Sequence, residues 1–177
     1  MPTELEARIL RAVTEGRKAR SAYYAAVELP DEQELGPPAT PAAIAKLEAR
    51  VGRPLPPSYR TFLSLHDGWK MASGAMDLLS IKDRLEGPMS EAIKKWQEKA
   101  LKAGDKTAGA ALVIGWDKVT ASRLLLDPRV PAGEKEWPVI EHHRVEEGDY
   151  PDFLAWLEES NEDFRELARE EKEGGGA

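Results

Sequence analysis

The stretch from Thr40 to Trp69, TPAAIAKLEARVGRPLPPSYRTFLSLHDGW, constrains the fold most, because two helix patterns and both of their stop signals are compressed into it. Thr40 can act as an N-cap, its hydroxyl accepting from an orphan backbone N–H, and Pro41 takes the first helical position, where a missing donor costs nothing. Ile44, Leu47 and Val51 follow at three- and four-residue steps and share a face. Gly52 can take the left-handed conformation that closes a helix, and Pro54 bars continuation. Pro56 and Pro57 pre-set another first turn, after which Tyr59, Phe62, Leu63 and His66 recur at helical spacing until Gly68. Two short helices joined by a stiff elbow are expected, each with an apolar face to bury.

Around this pair the chain reads as follows. Thr3 and Glu6 form a capping box, and Leu5, Ile9, Ala12, Gly16, Ala19, Tyr23 and Ala26 continue at alternating four- and three-residue steps, which predicts one long helix. Its narrow seam of small residues suits close packing, either on its own domain or on a second copy. Arg8, Arg11, Arg17, Lys18 and Arg20 make it locally basic, and an ordinary solvated face is the expected reading of those charges. Val27–Ala39 lacks periodicity and reads as a linker. After a small-residue turn at Ala72–Ala75, Met76–Ile81 predicts a short strand. Ser90 is the expected cap of the next helix, in which Ile93, Trp96 and Ala100 face inward.

Ala110–Trp116 is a nearly continuous apolar run, as in a strand covered on both sides, and Ser122–Leu126 follows closely enough to be its antiparallel neighbour. Trp137–Val145 alternates weakly and reads as an edge strand. Pro151 opens a last helix with Phe153, Leu154, Trp156 and Leu157 on its apolar face. Beyond it an acidic segment depends on Phe164 and Leu167 for any hold, and Gly174–Ala177 is expected to be disordered. The fold class is α+β: a small, mostly antiparallel sheet between Met76 and Val145 packed with helices, plus an extra N-terminal helix. The expected organisation is residues 1–38 as that helix and a linker, 39–160 as the main domain, and 161–177 as an acidic helix and tail.

Chemistry is constrained by what the chain carries. A formal net charge of -7 describes an acidic protein that repels polyanions, so no direct nucleic-acid binding is expected. There is no cysteine, hence neither a disulfide framework nor a thiol nucleophile. No apolar run reaches the roughly 18 residues of a bilayer span, and the N-terminus lacks a signal-peptide core; a cytoplasmic protein without membrane contact is expected. Glu141-His142-His143, with His66-Asp67 as partner, is the best catalytic or metal candidate, but adjacent strand residues point to opposite faces. Phosphate loops and nucleophile motifs are lacking. No catalytic residue, metal or cofactor is therefore expected.

Protein contact has more support. Of five tryptophans, Trp69 and Trp116 sit beside turn glycines or strand ends, where the large rigid indole often anchors an interface. The alternative is that both close the ends of the core. Asp67, Asp77 and Asp117 lie near them in sequence and would add negative charge if the turns cluster. The expected partner-binding set is Asp67, Gly68, Trp69, Asp77, Trp116 and Asp117.

The order Ile44, Leu47-Glu48, Val51-Gly52, Leu55-Pro56, Tyr59, Phe62-Leu63 and Asp67-Gly68 resembles the signature of the SUKH superfamily of Smi/Knr-type domains. Asp67 stands where asparagine is usual, and Gly115-Trp116-Asp117-Lys118 has one glycine where the family often carries a glycine-rich turn. Met1–Pro38 lies outside the resemblance. It implies a SUKH-like fold whose core includes Ile44, Leu47, Leu55, Tyr59, Phe62 and Leu63. It also implies a non-enzymatic protein-binding role, most often as an immunity protein that neutralises a cognate polymorphic bacterial toxin. Where that toxin is a nuclease, an acidic inhibitor is steered to its basic groove. The alternative implied role is a regulatory or scaffolding domain like the fungal cell-wall-synthesis regulators, acting as a homodimer through the N-terminal helix.

Overall fold

The two helices form where their caps place them. In the computed structural model, which describes residues 1–143 and 145–175, helix α2 (Pro41–Val51) starts on Thr40, whose hydroxyl accepts from the Ala43 N–H at 3.1 Å, and closes on Gly52 at φ 85°. Helix α3 (Pro57–Leu65) follows the proline elbow, and Gly68 then turns the chain at φ 99°. Ile44, Leu47, Leu55, Tyr59, Phe62 and Leu63 are each at most 3% exposed and lie in one core, as expected.

The sheet is antiparallel throughout and runs in chain order: β1 (Glu34–Leu35), β2 (Trp69–Ser73), β3 (Met76–Leu78), β4 (Leu112–Asp117), β5 (Ser122–Leu126), β6 (Val139–His143) and β7 (Val145–Tyr150). The α+β expectation holds, with β4 central and β5 its neighbour. The sheet is wider than Met76–Val145, however. The linker contributes β1, and the residues after Trp69 form β2 rather than only a turn. Alternation fails in β2 because Met71 takes φ 53°, a conformation rare for a side-chain-bearing residue. It is held there by its N–H to Asp77 Oδ1 at 2.9 Å and its carbonyl to the Tyr24 hydroxyl at 2.9 Å. Strand β6 is internal rather than an edge, since the polar segment β7 pairs along it.

One face of the sheet, with Trp69, Leu78, Leu124 and Val139, packs under the first, third and last helices. The other, with Leu79, Val113, Leu125 and Ile140, lies under α5 (Gly87–Lys102) and α6 (Lys106–Ala110). The cap expected at Ser90 is instead at Ser80, which forms a capping box with Asp83 and opens the short helix α4 (Ile81–Leu85); α5 begins at Gly87-Pro88.

Helix α7 (Phe153–Gly174) is unbroken, and Phe164 and Ala168 are 7% and 5% exposed, so the acidic segment is a packed helix whose charges face outward. Leu167 is 40% exposed and contributes less to that hold. Gly174 ends the helix, and Gly176–Ala177, part of the tail expected to be disordered, lie outside the described residues. Along α7 runs α1 (Glu4–Ala26), begun by the Thr3–Glu6 capping box. Ile9, Ala12, Gly16 and Ala19 are buried within the chain, so the seam that suited either a core or a second copy is covered in cis. Arg8 pairs with Glu158 at 3.0 Å and Glu15 with Arg165 at 3.1 Å, bringing the basic helix against the acidic one.

Arg20 is not part of that solvated face. It is 0% exposed. Its Nε donates to the Ala72 carbonyl, Nη1 to the Gly16 carbonyl at 3.1 Å and Asn161 Oδ1 at 2.8 Å, and Nη2 to Ser160 Oγ at 2.9 Å. The guanidinium lies 4.7 Å from the Trp69 ring centroid and 4.6 Å from that of Phe164. Gly16 leaves room for this arrangement, since a Cβ there would run into Asn161 Oδ1 and Arg20 Nη1.

Replacing Arg20 by alanine is expected to cost about 3–5 kcal/mol in urea denaturation, because a large buried side chain is lost and its acceptors are left unpaired. Arg17→Ala, on the exposed side of α1, should stay within about 0.5 kcal/mol of the parent. We further propose that α1 belongs to the folding unit; a chain beginning at Ala39 should lose a cooperative transition, as followed by tryptophan fluorescence.

Candidate protein-contact site

The expected contact residues separate into two groups. Asp67 and Gly68 lie at one end of β2, beneath the linker: Gly36 N–H donates to the Gly68 carbonyl at 2.9 Å, and Asp67 N–H to the Pro37 carbonyl at 2.7 Å. Asp67 Oδ1 accepts from the Ile81 N–H at 2.8 Å, which ties the turn to the start of α4. Gly68 is buried and Trp69 is 1% exposed beneath Arg20. Of the two readings of Trp69, the core-closing one describes its placement, and its indole is absent from the surface.

Asp77, Trp116 and Asp117 lie at the opposite end. Trp69 pairs with Leu78 and Asp117 with Met76, two β3 residues away, so Trp69 and Asp117 are about 7 Å apart along the strands at ~3.3 Å per residue, and Asp67 lies two residues before Trp69. Asp67, tied to the start of α4, therefore stands apart from Asp77 and Asp117. Asp77 is also occupied, its Oδ2 pairing with Lys118 Nζ at 2.6 Å.

Around Trp116 the register builds a cross-strand row. Asp77 is opposite Trp116, Trp116 opposite Arg123, and Arg123 opposite His142, which places all four on one face as direct neighbours. The Arg123 guanidinium lies 3.4 Å from the centroid of the Trp116 ring, and Trp96 of α5 meets Trp116 edge-on at 6.3 Å. Trp96 also meets His142 edge-on at 5.5 Å. Trp96 and Trp116 are half-buried, while Val119 in the β4–β5 loop is 81% exposed.

The loop is held by local hydrogen bonds. Asp117 Oδ1 accepts from the N–H groups of Val119 and Thr120 at 2.7 and 2.8 Å, a turn that aspartate favours. Arg123 Nη1 donates to the carbonyls of Asp117 and Ser122 at 3.2 and 2.7 Å. Burial lowers the pKa of Arg123, while nearby Asp117 opposes that shift. Two half-buried indoles packed on a buried flat cation, beside an exposed aliphatic side chain, make a surface suited to protein contact.

Sequence reasoning located Trp116 and Asp117 here but missed Arg123, Trp96 and Val119. Trp96 was expected to face inward from α5, and it does so only halfway. Arg123 was legible in principle, because the short connection from Asp117 to Ser122 sets it opposite Trp116.

The histidine strand divides as its alternation requires. His142 is 6% exposed, with Nε2 2.9 Å from Asp105 Oδ2; His143 turns to the other face, where Nδ1 lies 2.8 Å from Ser122 Oγ. Glu141 accepts from Trp156 Nε1 at 3.1 Å. Among the described residues no group of three or more His, Cys, Asp or Glu is placed to hold a metal ion, and no helix is long and apolar enough to cross a membrane.

Comparison with known families agrees with the helix-pair signature. The sequence model of the SMI1 / KNR4 family (SUKH-1) matches residues 38–170. The chain belongs to this family. No curated protein matches it significantly. The matched SUKH-1 region contains all six expected contact residues and the Trp96–Trp116–Arg123 stack, while α1 lies outside it.

Asp105 supports the site from behind, as N-cap of α6 through the Ala108 N–H at 2.9 Å and as partner of His142. The Ala108 N–H, with a smaller contribution from His142, holds its carboxyl below the ordinary value. A depressed carboxylate stabilises the fold above its unfolded pKa of about 3.9, and the gain is lost as pH falls through the lower folded value. Asp105→Ala should therefore cost on the order of 1 kcal/mol at pH 6, as typical of a lost cap, and the two denaturation midpoints should converge as the pH falls below the unfolded value of about 3.9 and through the lower folded one.

Proposed function

We propose that the chain is a non-enzymatic protein-binding domain of the SUKH-1 type, acting as an immunity protein that binds and neutralises a cognate toxin. The observation that carries this reading is the pair of half-buried indoles, Trp116 and Trp96, packed on the buried guanidinium of Arg123 beside exposed Val119, on a fold of this family. Such a patch offers aromatic area already held in place by the cation beneath it, so little side-chain freedom is lost on association.

Charge supports the same reading. The formal net charge is -7, and exposed Glu158, Glu159, Glu162, Glu166 and Glu170 line the outside of α7. A toxin with a basic substrate groove, a nuclease for example, would be steered toward that field. In this reading the acidic helix accelerates encounter and the aromatic stack holds the complex.

Co-expression with the product of the adjacent reading frame tests it. The expected result is a complex of the two and relief of that product's toxicity. Trp116→Ala should weaken the complex by about 2 kcal/mol or more while the protein keeps its circular dichroism spectrum. An adjacent product that neither binds nor loses toxicity would sink the immunity reading.

A further inference from the structure

Helix α4 carries a second cation into the interior. Arg84 is 7% exposed, its Nη1 donates to the Tyr59 hydroxyl, and its guanidinium lies 5.5 Å from the Tyr59 ring centroid. Its Nε and Nη2 are buried and find no acceptor among the described residues. Arg20 has an acceptor for each of its nitrogens. Leaving two donors of a buried guanidinium unpaired is costly, and the Tyr59 contacts leave both Nε and Nη2 without an acceptor among the described residues.

Arg84 lines a groove of ≈ 690 Å³ bounded by α2, α4, α5 and the start of β4, a volume in the range of ligand sites. Leu47, Val51, Ile93 and Leu101 supply its apolar wall, and Leu101 is 52% exposed. Arg50 and Lys94 join Arg84 as cations, against Glu91 and Glu98. The groove is therefore locally one charge positive on a chain of net charge -7. One uncompensated positive charge and a planar donor fork match a single carboxylate; a phosphate dianion would meet the two glutamates.

We infer that this groove receives an acidic side chain presented within an apolar segment of a partner protein. Arg84 takes the carboxylate through Nε and Nη2, while Leu47, Val51, Ile93 and Leu101 cover the flanking aliphatic groups. The inference rests on the protein-binding reading above, and it favours a polypeptide over a free small acid because exposed Leu101 extends the apolar wall beyond what a small acid would cover.

The test is a ¹H–¹⁵N NMR titration of the full chain with three probes: acetyl-Leu-Leu-Glu-Leu-amide, the same peptide with Gln for Glu, and hexanoate. The Glu peptide should move the amides of Arg84, Lys94 and Gln97 saturably, and bind about tenfold more tightly than the Gln peptide or hexanoate. Equal binding of the Gln peptide overturns the carboxylate assignment, and equal binding of hexanoate overturns the polypeptide one. No saturable shift by about 10 mM, a range in which a weak single site still registers, overturns both. Arg84→Gln should abolish the Glu-over-Gln preference; if that variant does not fold, Lys94→Gln on the exposed rim should weaken the Glu peptide about two- to fivefold, and no change would count against the groove. Because the probes require no natural partner, peptide binding without a toxin complex would fail only the immunity reading, and the reverse would fail only the groove.

Discussion

A guanidinium buried without a carboxylate holds the two ends of the chain to the sheet. Arg20 is satisfied by neutral acceptors alone, from α1 itself, from β2 and from α7, and lies between the faces of Trp69 and Phe164. Desolvation drives its pKa down to about 10, with Tyr24 opposing the shift slightly. The charge is kept because hydrogen-bond dipoles and ring quadrupoles replace water around it. Those same contacts determine neighbouring choices: glycine at position 16, asparagine at 161, and a tryptophan at the start of β2 whose indole is roofed over.

The parts of the fold legible in the sequence are those decided locally. Thr40, Pro41 and Gly52 act through their own backbone geometry, and the six core residues of α2 and α3 repeat at helical spacing, so both could be read from neighbours alone. The apolar runs of β4 and β5 were legible for the same reason. What escaped was decided by distant residues. Arg20 lies four positions after Gly16, along the very seam that was recognised, yet grouping it with Arg17 and Lys18 by charge placed it in solvent. Between its two readings, interface anchor or core end, Trp69 stayed undecided because the Arg20 that covers it comes from α1. Strand β1 has only two residues, β2 is interrupted by Met71, and β7 is polar, so none carries a periodic signal.

Helix α5 borders both surface features. Trp96 on one side of it supports the stack over Trp116, whereas Ile93, Lys94 and Leu101 line the groove on the other. Gln97 fixes the helix between them, its amide donating to the carbonyls of Ala108 and Ala111 at 3.1 and 2.7 Å. The central strand β4 likewise contributes Trp116 to the stack and Leu112 and Val113 to the groove. The architectural signature in α2 and α3 thus identifies the family; the stack lies across the sheet from it, whereas the groove runs between α2 and α5.

The placement of Arg20 also orders events during synthesis. Its acceptor Asn161 lies 141 residues downstream, so at ~5–20 residues per second the two are separated by roughly 7 to 28 s of translation. In that interval the sheet can add strands one by one, since each pairs with the strand made just before it. The nascent chain nevertheless carries an open seam on its first helix until its last helix leaves the ribosome. The closing contact of the fold joins two helices made 141 residues apart, so the seam stays open while every strand of the sheet is laid down.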